Sequence, residues 1–176
     1  MHATHVLGAQ HQAIAALFDA VECAVEPRAR EMAVARLAEE LIAHMAGEET
    51  VFYPALRRIF GKDASVVVRA RDEHLTLKVE LRQVLGGDLD DAAALAEGLA
   101  VLRTRFEGHV REEEIGLFPR VERALSDADH EVLGVEILAS RPPIWMVTTE
   151  RSGGRRSSGR AKLRSRVSLP IPAARQ

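Results

Sequence analysis

The sequence predicts an all-α protein. It should form an up-down four-helix bundle with a short fifth helix and a disordered basic C-terminal tail. Three observations predict this. Apolar residues make up 47% of the chain and aromatics only 4%, with Ala and Leu abundant and Val and Ile scattered, a composition that suits helices packed on helices. Apolar positions return every three or four residues along four long segments, which is the helical period. One pattern also occurs twice, as His44-Met-Ala-Gly-Glu48-Glu-Thr-Val-Phe-Tyr-Pro54 and as His109-Val-Arg-Glu-Glu113-Glu-Ile-Gly-Leu-Phe-Pro119.

The first helix is predicted from about Thr4 to Cys23, ending before Pro27. The second opens at Pro27, since a first-turn proline lacks only a donor that has no partner there anyway, and runs to about Tyr53. The third follows Asp63, a side chain suited to capping, and stops at Gly86-Gly87. The fourth starts at Asp90 or Asp91 and runs to about Phe118. Pro54 and Pro119 should end or kink their helices, with short extensions through Leu56, Ile59 and Phe60 and through Val121 and Leu125. Ser126-Asp-Ala-Asp129 reads as the start of the fifth helix. Short links between neighbours favour antiparallel packing.

The 176 residues divide into one bundle domain, 1–140, and a tail, 141–176. The tail carries nine Lys+Arg against one acidic residue, leaving the body acidic. Pro142-Pro143 stops any helix, and Ser152 to Arg160 is basic and rich in Gly and Ser. A tail of this kind could touch nucleic acid or a membrane surface. It has no aromatics interleaved with its basic run, so a solvated extension is expected and nucleic acid is not an expected partner. No stretch nears the roughly 18 apolar residues of a membrane span, and the N-terminus lacks a signal peptide's pattern. Cys23 is the single cysteine, which forbids an internal disulfide and fits a reducing compartment. It is expected to be a small residue near a helix end. A cytoplasmic protein, monomeric or weakly dimeric, is expected.

Orientation follows from the apolar stripes. The first helix aligns Leu7, His11, Ile14 and Phe18. The second aligns Leu37, Leu41, His44, Glu48 and Val51. The third aligns Val67, Ala70, His74, Leu77, Leu81 and Val84. The fourth aligns Leu99, Leu102, Phe106, His109, Glu113 and Gly116. Four His and two Glu thus occupy positions where Leu or Ile would ordinarily sit. His11 precedes His44 by 33 residues and His74 precedes His109 by 35, so the two halves repeat. A buried carboxylate without a partner costs several kcal/mol, and six polar intruders on converging stripes need one shared compensation. A pair of metal ions supplies it. Residues four apart lie on one helix face, about 6 Å apart along the axis, so each His-Glu pair can reach the same two ions. Imidazole with carboxylate suits iron, manganese or zinc better than calcium or magnesium. His2, His5 and His130 fall outside the pattern and are expected at the surface or terminus, His5 being the nearest to an exception because it lies close to His11.

At these residues the chain resembles the hemerythrin-like (HHE cation-binding) family over roughly residues 1–125, most specifically in the His-x-x-x-Glu-Glu-x-x-x-[Tyr/Phe]-Pro segments. The resemblance implies two non-haem iron ions. It implies His11, His44, His74 and His109 as terminal ligands and Glu48 and Glu113 as bridging carboxylates. Oxygen-carrying hemerythrins use a fifth His one turn after the third-helix His, where this chain has Lys78. Their last carboxylate is an Asp five residues on, where this chain has Glu113 four residues on. The sequence therefore looks like the bacterial H-HxxxE-H-HxxxE subgroup. Mycobacterial-type members of it are linked to peroxide breakdown, and other relatives to nitric-oxide stress and iron repair. The expected ligand is peroxide or a small diatomic, and the expected role is catalase-like peroxide removal. The alternatives are dioxygen or nitric-oxide sensing, or iron storage and repair. Tyr53, the only tyrosine, is a candidate extra ligand or hydrogen-bond donor to the centre. Glu49, Glu112 and Glu114 are expected to be solvated or to support the ligands.

Overall fold

A computed structural model describes residues 1–61 and 65–140. The Asp63 cap and the tail from 141 onward lie outside the described residues. The described residues are helical almost throughout: α1 Ala3–Cys23, α2 Pro27–Gly47, α3 Tyr53–Phe60, α4 Ser65–Gly86, α5 Ala92–Arg111, α6 Phe118–Ala124 and α7 Asp127–Ala139. A π-helical turn, Glu48–Phe52, joins α2 to α3, and a second, Glu112–Leu117, joins α5 to α6. Each joined pair acts as one long bundle helix. The four bundle helices pack α1 on α2, α4 on α5, α1 on α5 and α2 on α4.

Local chemistry sets the boundaries. Pro27 opens α2. Asp91 caps α5 by accepting the Ala94 N–H. Gly61, with φ of 53°, ends α3 in a left-handed conformation that glycine adopts without penalty. Ser126 and Asp129 form a reciprocal capping box at the start of α7, so two otherwise orphaned N–H groups are satisfied. Helix α7 lies against α1 and the first π-helical turn. Cys23 closes α1 and is exposed.

The two prolines do not simply stop their helices. Proline has no N–H, and its ring collides with the carbonyl four residues back in a regular helix. Here the turn before each proline is widened, and the chain then continues helically with the proline in the first turn. In each widened turn a five-residue hydrogen bond replaces the usual four-residue one, from the Tyr53 N–H to the Glu48 carbonyl and from the Phe118 N–H to the Glu113 carbonyl.

This extra residue per turn corrects two sequence expectations. Val51 and Gly116 were expected on the inward stripe, but Val51 is only half-buried and Gly116 is exposed. Phe52 and Tyr53 are buried in place of the first, and Leu117 and Phe118 in place of the second. The rest of the stripe points inward as the spacing predicts. The core falls into two apolar clusters. One gathers Ile14, Phe18, Leu37, Leu41, Leu77, Leu81, Leu102 and Phe106. The other gathers Leu7, Phe52, Tyr53, Leu56, Val67, Leu117, Val121 and Ile137. On every bundle helix the His lies between residues of one cluster and residues of the other.

Candidate metal centre

The layer between the clusters holds His11 on α1, His44 on α2, His74 on α4 and His109 on α5, with Glu48 and Glu113 at the head of the two π-helical turns. All six are no more than 3% exposed. Their donor atoms converge. Glu48 Oε2 lies 3.3 Å from His44 Nε2 and 3.0 Å from His74 Nε2. Glu113 Oε2 lies 3.4 Å from His11 Nε2 and 3.7 Å from His109 Nε2. The two sets meet where His74 Nε2 and His109 Nε2 come within 3.3 Å and where His109 Nε2 is 3.7 Å from Glu48 Oε2. The pseudo-two-fold repeat of the sequence is therefore a pseudo-two-fold repeat in space. One set is drawn from α2 and α4, the other from α5 and α1.

The far side of each ring is held just as regularly. His11 Nδ1–H donates to Glu114 at 2.9 Å, and His74 Nδ1–H donates to Glu49 at 2.9 Å. His44 Nδ1–H donates to the Gln10 amide oxygen at 3.0 Å, and His109 Nδ1–H donates to Glu73 at 3.2 Å. An imidazole that donates through Nδ1 can turn a free Nε2 lone pair inward, the arrangement that orients metal-binding histidines. Glu49 and Glu114, each one residue after a central Glu, thus support a ring on another helix. Glu112 instead pairs with Arg69 at the surface. Lys78 binds Glu49 at 2.6 Å and so acts behind His74 rather than at the centre. Gln10 and Glu73 were not anticipated from sequence. The available signal was their place, each directly before the His of its helix.

Tyr53 joins the centre because the first π-helical turn rotates it inward. Its hydroxyl donates to Glu113 Oε1 at 2.9 Å and lies 3.3 Å from His74 Nε2 and 3.4 Å from Glu48 Oε2. At the equivalent place in the other half, Phe118 stacks on the His11 ring with centroids 5.8 Å apart. The two halves therefore differ in having a phenol on one side and a bare ring on the other.

The protein's own groups leave this layer unsatisfied. His11 Nε2, His44 Nε2, Glu48 Oε1 and Glu113 Oε2 are buried without a hydrogen-bond partner. Such groups are costly unless something else binds them. Burial drives the His44 pKa down to about 3 despite the nearby Glu48 charge. Burial also pulls His109 down, but its hydrogen bonds to Glu48 and Glu73 and the Glu113 charge outweigh this and raise it to about 10. Burial and the Glu48 charge raise Glu113. Burial also opposes ionisation of Glu48, yet the surrounding imidazoles hold it well below the usual carboxylate value. Without a cation, four rings and two acids must share protons in a dry space. A cation fits better. Bonds of about 2.0–2.2 Å place neighbouring donors roughly 3–3.5 Å apart, close to the separations found. Donor atoms of His11, His44, Glu48, His109 and Glu113 all lie within 4.8 Å of one another.

The family model of the hemerythrin HHE cation binding domain matches residues 2–121. The chain belongs to this hemerythrin family. The match spans all four bundle helices and both repeated segments. No curated protein matches the sequence. Among solved structures, this hemerythrin-like chain is similar to a hemerythrin HHE cation binding domain-containing protein from Mycobacterium kansasii, at 25% identity with a TM-score of 0.71, covering 88% of this chain and 95% of that one. A hemerythrin-like helical bundle with a buried His/Glu cluster able to hold metal is therefore established for this chain. No described helix is long and apolar enough to cross a membrane.

One sequence expectation fails outside the centre. His130 is not a surface residue but is 1% exposed. From α7, a helix whose packing partner cannot be read from local periodicity, it stacks on His2, the residue before α1. His5, the nearest candidate for an exception, is exposed.

Proposed function

We propose that the protein is a non-haem di-iron protein that breaks down hydrogen peroxide, two molecules giving two water and one dioxygen. His11, His44, His74 and His109 would be the terminal ligands, and Glu48 and Glu113 the bridging carboxylates. The observation that carries this reading is the set of inward, buried Nε2 and carboxylate atoms in two pseudo-symmetric groups with supported Nδ1 positions, four of which (His11 Nε2, His44 Nε2, Glu48 Oε1 and Glu113 Oε2) have no hydrogen-bond partner. When bound, two adjacent iron ions would supply Lewis acidity and a two-electron reservoir.

The remaining features concern what the residues do. Glu49, Glu114, Gln10 and Glu73 fix the rings, so each Nε2 faces inward before any ligand arrives. Lys78 holds Glu49 in place. In the metal-free protein Tyr53 keeps a proton at its hydroxyl, because burial and the Glu48 and Glu113 charges raise its pKa well above the usual value. A proton is therefore held at Tyr53 Oη, within reach of Glu113 and of a small molecule bound among the donors. Phe106 packs edge-on and Phe118 stacks face-on against the His11 ring, apolar walls that would keep bulk water out and leave room only for a small ligand. Peroxide meets that limit. Its breakdown needs a proton donor close to the oxygen that leaves as water, and Tyr53 supplies one.

The test is to purify the full chain, count metal per chain and record oxygen evolution on adding peroxide. About two irons per chain, with oxygen release well above that of the same amount of free iron, is the expected result. Fewer than one iron per chain after iron reconstitution would overturn the di-iron reading. Two irons without oxygen release would overturn the peroxide reading alone.

A further inference from the structure

A second group of metal-binding side chains lies away from the bundle centre. His2, the residue before α1, His130 on α7 and Glu122 on α6 offer donor atoms within 4.8 Å of one another. Glu122 Oε2 is 3.6 Å from His2 Nδ1 and 3.6 Å from His130 Nε2. His130 is 1% exposed, yet neither of its ring nitrogens has a hydrogen-bond partner, nor does His2 Nδ1. A buried imidazole with both nitrogens unmatched is costly, and nothing in the apolar packing explains why a His rather than a Leu occupies this place.

The surroundings orient these groups. Thr4 donates to Glu122 Oε1, which leaves Oε2 to face the two rings. Gly134, one turn after His130 on α7, lets the chain start lie directly on the helix. A methyl group there would collide with the Met1 carbonyl oxygen. The Met1 amine also lies 3.6 Å from Glu131. These contacts bring His2 over His130, with ring centroids 4.6 Å apart. Asp127 Oδ1 stands 3.6 Å from His2 Nε2 on the solvent side.

We propose that His2, Glu122 and His130 form a second, mononuclear site for a divalent transition ion of the zinc class. Two imidazoles and one carboxylate are a zinc-type donor set, and the separations of 3.6 Å approach the roughly 3.4 Å expected between neighbouring donors at bond lengths of about 2.0–2.1 Å. The His2 ring lies parallel to His130 and to His5, so it would have to turn out of this stack, from its partly exposed side, to aim its nitrogen at the common point. Water or the exposed Asp127 carboxylate beside His2 would complete the coordination. Bound metal would clasp the chain start, α6 and α7 together across one end of the bundle.

The site is tested with the full chain, made without an N-terminal tag and loaded with iron. Zinc chloride is added, loose metal is removed and zinc is counted per chain. The expected result is one retained zinc in the parent, lost in both His2→Ala and Glu122→Gln, with iron content unchanged. Both replacements are at partly exposed positions, and circular dichroism checks that they fold. No retained zinc in the parent, or zinc that persists in both variants, overturns the site. Zinc gained only as iron is lost would assign it to the bundle centre and would also overturn it. The comparison of parent with His2→Ala holds whatever fills the centre, so its failure is separate from failure of the di-iron reading.

Discussion

Gln10 accepts the Nδ1–H of His44 at 3.0 Å, although it stands beside His11 in the chain. Its counterpart Glu73, beside His74, accepts from His109 at 3.2 Å. The two halves of the centre are thus built on one plan but with an amide behind one ring and a carboxylate behind the other. A carboxylate makes the ring a stronger base and a stronger metal ligand, so on the proposed di-metal reading the two positions would be electronically unlike.

Glu73→Gln would make the two supports alike. Glu73 is partly exposed at the bundle surface, so the fold should survive. Metal affinity should fall by about 10–100-fold, as for other lost partners of ligating histidines. Competition with a chelator of known affinity measures this. An unchanged affinity would mean that the Glu73 carboxylate does not act through His109.

Tyr53→Phe removes the hydroxyl while keeping the ring, and Phe118 shows that the fold accepts a phenyl group at the equivalent position. Metal content should stay at the parent value. Stability should fall by about 1–3 kcal/mol, since Glu113 Oε1 loses its buried donor. Peroxide turnover should fall, with little change in the peroxide concentration needed for half-maximal rate. Loss of metal in this variant would instead make Tyr53 a ligand.

His44→Ala should abolish stoichiometric metal and, with it, stabilisation by metal. In the parent, metal at 100 times its Kd should raise stability by about 2.7 kcal/mol. Thermal unfolding with and without metal, at fixed protein concentration, gives the increment directly. An increment in His44→Ala equal to the parent's would remove His44 from the ligand set.

Most of this architecture was legible because helical period and ligand spacing are local. His11, His44, Glu48, His74, His109 and Glu113 fall on apolar stripes, and stripes converge in a bundle. The π-helical turns were not legible, because a widened turn shifts the period by one residue without changing any residue type. Val51 and Gly116 were misplaced for that reason, and Tyr53 gained its direct contact for the same one. Pro54 and Pro119 marked where the helix must depart from regularity but not how. His130 was missed for a different reason. Its burial depends on the docking of α7 against α1, a long-range contact with no sequence period. Gln10 and Glu73 reach across to neighbouring helices, so their partners follow only from the packing.

The metal-free protein should be most stable near neutral pH and lose stability on both sides. His44 has its pKa lowered from 6.5 to about 3 by burial. The unfolded chain therefore takes up a proton below pH 6.5 that the folded chain refuses, so this contribution is full above 6.5 and is lost as pH falls toward 3. Glu48 acts in the same direction. Its folded pKa lies well below 4.5, so its contribution is present above 4.5 and drains away under acid. His109 acts in the opposite direction. Its pKa is raised from 6.5 to about 10, so its contribution is complete below 6.5 and is lost as pH rises toward 10. Bound metal replaces the shared protons, which should remove the alkaline decline and turn the acid decline into metal release. Urea unfolding of the metal-free protein across this range, repeated with metal, tests each limb. An alkaline decline that persisted unchanged in the metal-loaded protein would place its origin outside the four histidines.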